Sequence, residues 1–216
     1  MLLHGRGSAF LWKECHMKRV VITGIGVISP VGNSADEFWD SIKEGRSGVG
    51  RITSFDPGEM KTQIAAEVKD FQPEPVIDIL EVRRIDMFSQ YAMVAANEAI
   101  TRSGIDFTQE DPFDTGVILG SGIGGIHVLE SQMETYIKKG PSRISPFYIT
   151  GMITDIIAGH ISERWELRGP NYVTTFACAS AAHAIGNAYY ALQRGDAQVM
   201  ITGGCEGSIT PTSIAG

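Results

Sequence analysis

The residue with the most pronounced chemical setting in the sequence is Cys178, in the run Ala177-Cys178-Ala179-Ser180-Ala181-Ala182 between an apolar β-rich stretch and a helical one. A nucleophile on a sharp strand-to-helix turn is exposed by the turn, and it needs small neighbours because strand and helix then pack closely. Alanines and a serine flank this sulfur, and the helix start directs its partial positive end at it. That pattern fits an activated, nucleophilic thiol. The pattern alone leaves a second reading open, a small cysteine packed in a tight turn.

A second run, Gly120-Ser121-Gly122-Ile123-Gly124-Gly125, satisfies G-x-G-x-x-G after a strand and before a helix, the setting of a dinucleotide fingerprint. The context argues otherwise. Pro141 to Pro146 stands where the next strand should run, and no strand-ending carboxylate follows about twenty residues on. Close backbone packing is the better use of these glycines. Gly24-Ile25-Gly26-Val27-Ile28-Ser29 fails the same pattern at its last position.

Of the five histidines, His4 and His16 precede the first clean strand, and His127, His160 and His183 fall within helical stretches. His183 is five positions past Cys178, more than a helical turn away and facing elsewhere. The residues show no metal-ligand spacing, and pairs such as Asp36-Glu37 and Glu110-Asp111 read as solvated helix starts. The residues alone thus give a cysteine without an evident base, and no cofactor.

Alternating elements must position that cysteine. Val20 to Thr23 reads as a buried strand, and Ser34 caps a helix through Ile42 with Glu37 at the capping-box position and Gly45 as its stop. Residues 46–80 read as irregular. A helix from Ile85 to Ile100 ends at Gly104, and Gly116 to Leu119 is a second buried strand. A helix covers about 126–139, a loop 141–146, and a helix Thr150 to Trp165. Tyr172 to Phe176 is a strand, Ser180 to Arg194 a helix closed by Gly195, and Ala197 to Thr202 a strand, with a loop from Gly203. Strands alternating with helices predict an α/β architecture on a mostly parallel sheet.

Composition narrows the function classes. Net charge is −7, from 18 basic and 25 acidic residues, so there is no general attraction to nucleic acid or to an anionic membrane. Three cysteines, Cys15, Cys178 and Cys205, form no disulfide framework and fit a reducing cytoplasm. No apolar run approaches a membrane span. Residues 1–16 hold only a short apolar centre at Ala9-Phe10-Leu11-Trp12, so they read as a mis-assigned start or a disordered extension, with Met17 opening the folded part.

Several runs together resemble the β-ketoacyl-acyl carrier protein synthases of the type II class. They are Arg19 to Gly32, Gly120 to Gly125, Arg143 to Phe147, Leu167-Arg168-Gly169-Pro170, Ala177-Cys178 through Gly186, Gly195-Asp196-Ala197 and Gly203-Gly204, in that order and at the family's spacing. The resemblance covers Met17 to Gly216. It implies the N-terminal half of a thiolase-like α/β/α/β/α sandwich, without its last strand and the second half, and a homodimer. It further implies that Cys178 accepts an acyl group from acyl carrier protein, with its own N–H as one oxyanion donor, before malonyl carrier protein is decarboxylated and condensed. By the same resemblance Ile123 gates or lines the acyl pocket, Tyr148 lines that of the partner subunit, and Arg83 and Arg84 dock the acidic carrier. The two catalytic histidines, a lysine and a second oxyanion donor belong to the half this sequence does not contain. Three departures from the family stand out: Phe176 where a small hydroxyl residue is usual, Asp155 for a common asparagine, and Gly151 softening a loop near the pocket.

Two other classes compete with a condensing enzyme. One is a non-catalytic remnant that binds carrier protein or a partner subunit. The other is a dinucleotide-dependent oxidoreductase, which the missing acidic residue disfavours.

Overall fold

The computed structural model describes residues 18–74 and 76–216. The leader, with Cys15, His4 and His16, lies outside them. At the centre is a parallel three-stranded sheet in which β3 (Thr115–Gly120) is flanked by β4 (Asn171–Thr174) and β5 (Val199–Gly204). A two-stranded antiparallel pair, β1 (Val49–Arg51) with β2 (Ile64–Ala66), stands apart from it.

β3 is buried along its whole length, as expected of a parallel strand covered on both faces. Its alternating side chains divide the core. Val117 and Leu119 pack with Phe88, Met93, Ile157 and Ile161 from α3 (Met87–Ser103) and α6 (Ile156–Arg164). Ile118 points to the other face, against Ala184, Ala188 and Ala191 of α7 (Ser180–Arg194). Alanines at that spacing let α7 lie close to the sheet, which sets the position of its N-terminus.

Local signals fix several boundaries. Ser34 caps α1 (Ala35–Lys43) through the Glu37 amide, while the Glu37 carboxylate reaches back to the Asn33 N–H at 2.8 Å. Asp86 caps α3 through Phe88, and its second oxygen accepts from the Val128 N–H at 2.8 Å, joining α3 to α4 (Ile126–Lys139). Gly104 and Gly195 close α3 and α7 in the left-handed conformation.

Four expectations fail. The stretch 150–165 is two helices, α5 (Tyr148–Met152) and α6, because the Met152 carbonyl accepts from the Gly125 N–H at 3.0 Å instead of continuing the helix. Gly203 and Gly204 belong to β5 rather than to a loop. Residues 46–80 hold the β1–β2 pair and a short α2 (Ile79–Val82), and α8 (Pro211–Ala215) follows β5.

The fourth failure is Val20 to Thr23, which is neither buried nor in a sheet. Val21 is 57% and Ile22 83% exposed. The run is instead fastened to α3. A methyl added to Gly24 or Gly26 would come within 1.9 Å of the Ala99 or Ala95 carbonyl oxygen, and the Val27 N–H donates to Glu98 at 2.9 Å. Between this run and the free edge of β5 lies a cavity of about 1330 Å³, floored by Ala95, Ala99, Ala188 and Leu192. A strand exists only with a ladder partner, and the gap keeps this run out of ladder reach of β5.

Candidate active site

β4 stops at Thr174, and the chain turns through Thr175 to Ala179 before α7 begins at Ser180. Ala177 sits at φ +44°, a left-handed conformation that costs an L-residue about 1 kcal/mol or more. Ser180 holds the strain in place. Its buried Oγ accepts from the Phe176 N–H at 2.8 Å and donates to the Ala177 carbonyl at 2.7 Å. Thr174 Oγ1 donates to the Ser180 carbonyl at 2.8 Å, tying strand end to helix start. The sulfur of Cys178 is thereby lifted into an exposed position just ahead of α7. Among the described residues it is not packed into the turn.

Cys205, by contrast, is half-buried just past the end of β5, and burial followed by the nearby Glu206 charge pushes its thiol far above the ordinary range. Among the described residues no cluster of three or more His, Cys, Asp and Glu could hold a metal ion.

The glycine-rich turn is a packing device. Gly120 lies under the start of α7, where a methyl would meet the Ser180 carbonyl carbon at 2.3 Å. Gly125 lies against α5, where a methyl would meet the Gly151 oxygen at 2.1 Å. Gly151 itself is buried within α5, so it does not soften a loop. Asp155 stands at the start of α6 with no side-chain capping bond.

Ile123 is exposed on the same turn, one residue past Gly122, whose added methyl would lie 3.5 Å from the Ala177 oxygen. The turn thus brings Ile123 beside the cysteine loop. Tyr148 begins α5, on the far side of the turn, and is half-buried. Arg83 and Arg84 are exposed at the end of α2, and the Arg84 guanidinium lies 5.1 Å over the Phe147 ring, next to Tyr148. Arg84 and Tyr148 therefore share one region.

His183 does not face away from the nucleophile loop. Its ring stacks on Phe176 with centroids 4.8 Å apart. Phe176 is 64% exposed, so this aromatic pair stands open beside Cys178. His160 is half-buried in α6, and burial lowers its pKa. Sequence reasoning also missed Glu206, whose carboxylate accepts from the Gly122 and Ile123 N–H groups at 2.9 and 3.0 Å. No local signal marks it, because its partners lie 84 and 83 residues upstream.

Comparison with known proteins places this geometry. The profile of the family "Beta-ketoacyl synthase, N-terminal domain" matches residues 17–216. The chain belongs to the β-ketoacyl synthase family. It is 42% identical over 199 residues to 3-oxoacyl-[acyl-carrier-protein] synthase 2 of Coxiella burnetii, covering 92% of this chain and 48% of that protein. The Staphylococcus aureus protein of the same name is 43% identical, with the same coverage. The chain thus spans about half the length of the curated relatives it matches.

Solved ketosynthases share the fold. A β-ketoacyl synthase from Burkholderia phymatum superimposes with a TM-score of 0.78 at 29% identity, over 91% of this chain and 49% of that one. A type II PKS acyl-carrier protein in complex with its ketosynthase gives 0.80 at 26%, over 91% of this chain and 53% of that one. The α/β arrangement is therefore that of the thiolase-like ketosynthases, represented by its N-terminal half.

Proposed function

We propose that this chain is the acyl-accepting half of a 3-oxoacyl-[acyl-carrier-protein] synthase of fatty-acid elongation. The observation that carries the reading is the Ala177 elbow, which presents Cys178 to solvent at the start of α7. The Cys178 thiol loses its proton, its sulfur attacks the acyl thioester carbon of the carrier, and the carrier's thiol leaves with a proton. Negative charge on the carbonyl oxygen is met in part by the Cys178 N–H. Malonyl carrier protein then loses carbon dioxide, its carbanion attacks the acyl carbon, and the Cys178 thiolate is released.

Residues 17–216 form the N-terminal domain in this reading, and residues 1–16 are an extension ahead of it. The cavity between Val20–Ile28 and β5 supports a further strand that comes from polypeptide beyond these residues. The homodimer is supported by β4, an edge strand of the sheet with Tyr172 exposed on it. Cysteine usage supports a cytoplasmic site, and among the described residues no helix is long and apolar enough to cross a membrane.

The carrier protein is the partner, docked by Arg83 and Arg84. The carrier-bound ketosynthase among the similar structures supports this. Reversing both arginines to glutamate weakens carrier binding by about tenfold at low salt, with a flatter salt dependence, while thiol labelling of Cys178 continues. Equal affinity of the two proteins across a salt series, measured by fluorescence anisotropy, would sink the docking assignment.

A further inference from the structure

The turn between β3 and α4 is held at both ends by backbone packing, but its middle is held differently. Gly120 is fixed under α7, and Gly124 and Gly125 are fixed against α5 and the residues after it. The Ser121 N–H bonds the Thr174 carbonyl at 3.2 Å, and the Gly125 N–H bonds Met152 at 3.0 Å. Among the described residues, Gly122 and Ile123 donate to nothing except one carboxylate oxygen, Oε2 of Glu206. Two amide groups converging on a single oxygen form a nest that takes an anion, and Glu206 supplies that anion from the end of β5. The bonds are charge-assisted and span the sheet from β5 to the turn after β3.

We propose that Glu206 is a positioning residue for Ile123. Its carboxylate sets the backbone of the turn, and the turn sets how far the Ile123 side chain stands over the approach to Cys178. The inference rests on the reading that Ile123 lines the acyl pocket, and it assigns control of that gate to a residue which itself touches no substrate. Without the carboxylate, the two amides have no acceptor but water, and the exposed middle of the turn becomes free to move. Discrimination between long and short acyl chains then weakens, while the thiol keeps its reactivity, because the elbow is held by Ser180 and Thr174 instead.

The test uses the protein as expressed, with hexyl and dodecyl methanethiosulfonates as probes. The Cys178 thiolate displaces methanesulfinate and forms a mixed disulfide, and peptide mass maps the site and gives the two rates. In the native protein the dodecyl-to-hexyl rate ratio differs from that of a small free thiol, and Ile123→Ala moves it. Glu206→Ala moves the ratio in the same direction by about tenfold, within reach of two charge-assisted hydrogen bonds. Glu206→Gln stays within about twofold of the native ratio, since its amide oxygen can accept both N–H groups. Glu206→Asp, its carboxylate drawn back by one methylene, gives an intermediate ratio and replaces the alanine variant should that one lose its circular-dichroism spectrum. A native ratio in Glu206→Ala and Glu206→Asp while Ile123→Ala shifts would overturn the inference alone, as would a glutamine variant no better than alanine. An unmoved ratio in Ile123→Ala would overturn the pocket reading and the inference with it.

Discussion

Cys178 and Cys205 show how backbone geometry sorts two thiols of one chain. Cys178 is raised by a strained alanine and left open, whereas Cys205 is half-buried and its thiol is pushed up by burial and by Glu206. The thiolate is the reactive form, so cerulenin modifies Cys178 faster than the half-buried Cys205 in the folded protein. Peptide mass spectrometry after brief labelling checks this, and faster modification of Cys205 would remove the assignment. Cys178 was legible because its alanines and serine are sequence neighbours. Ser180 was legible only as a small residue, although its hydroxyl binds both sides of the elbow. Glu206 was not legible at all, since a hydrogen bond across the sheet leaves no local pattern. His183 was misread for a related reason: the helical spacing placed it away from Cys178, but stacking on Phe176 returned it to the loop.

Among the elements, helices followed by a glycine were the most readable. α4 and α7 run between the residues that periodicity and glycine stops assign. The stretch 150–165 failed because the interruption comes from a distant partner, the Gly125 N–H on the Met152 carbonyl. That contact gives an element-scale prediction. A methyl at residue 125 would sit 2.1 Å from the Gly151 oxygen, a backbone atom with little room to yield. Gly125→Ala therefore destabilises the protein by about 1–3 kcal/mol, lowering the thermal midpoint by roughly 2–4 °C per kcal/mol. A melting curve followed by far-ultraviolet circular dichroism reads the shift, and an unchanged midpoint would contradict the close-packed turn. The run Val20 to Thr23 teaches the opposite lesson to α7. Its composition is that of a strand, but strand formation depends on an adjacent neighbour, and the cavity keeps it from the edge of β5.

At the scale of the whole molecule, the described fold and the length of the relatives agree. The chain covers about 48% of the Coxiella burnetii relative, and its sheet faces an unfilled apolar cavity of about 1330 Å³ beside β5. The resemblance assigns decarboxylation to two histidines of the relatives' second half, where charge developing on the malonyl thioester oxygen needs preorganised donors. In the proposed reading, acyl transfer to Cys178 and carbon–carbon bond formation are therefore separable, the first using Cys178 and its elbow and the second the relatives' second half. The measurement that tests this most directly incubates the 216-residue chain with acyl and malonyl carrier proteins and follows intact and peptide masses. The expected result is a slow gain of one acyl group on the Cys178 peptide, absent in Cys178→Ala, with no β-ketoacyl product. An acyl group on Cys205 instead, or robust condensation by this chain alone, would contradict the account.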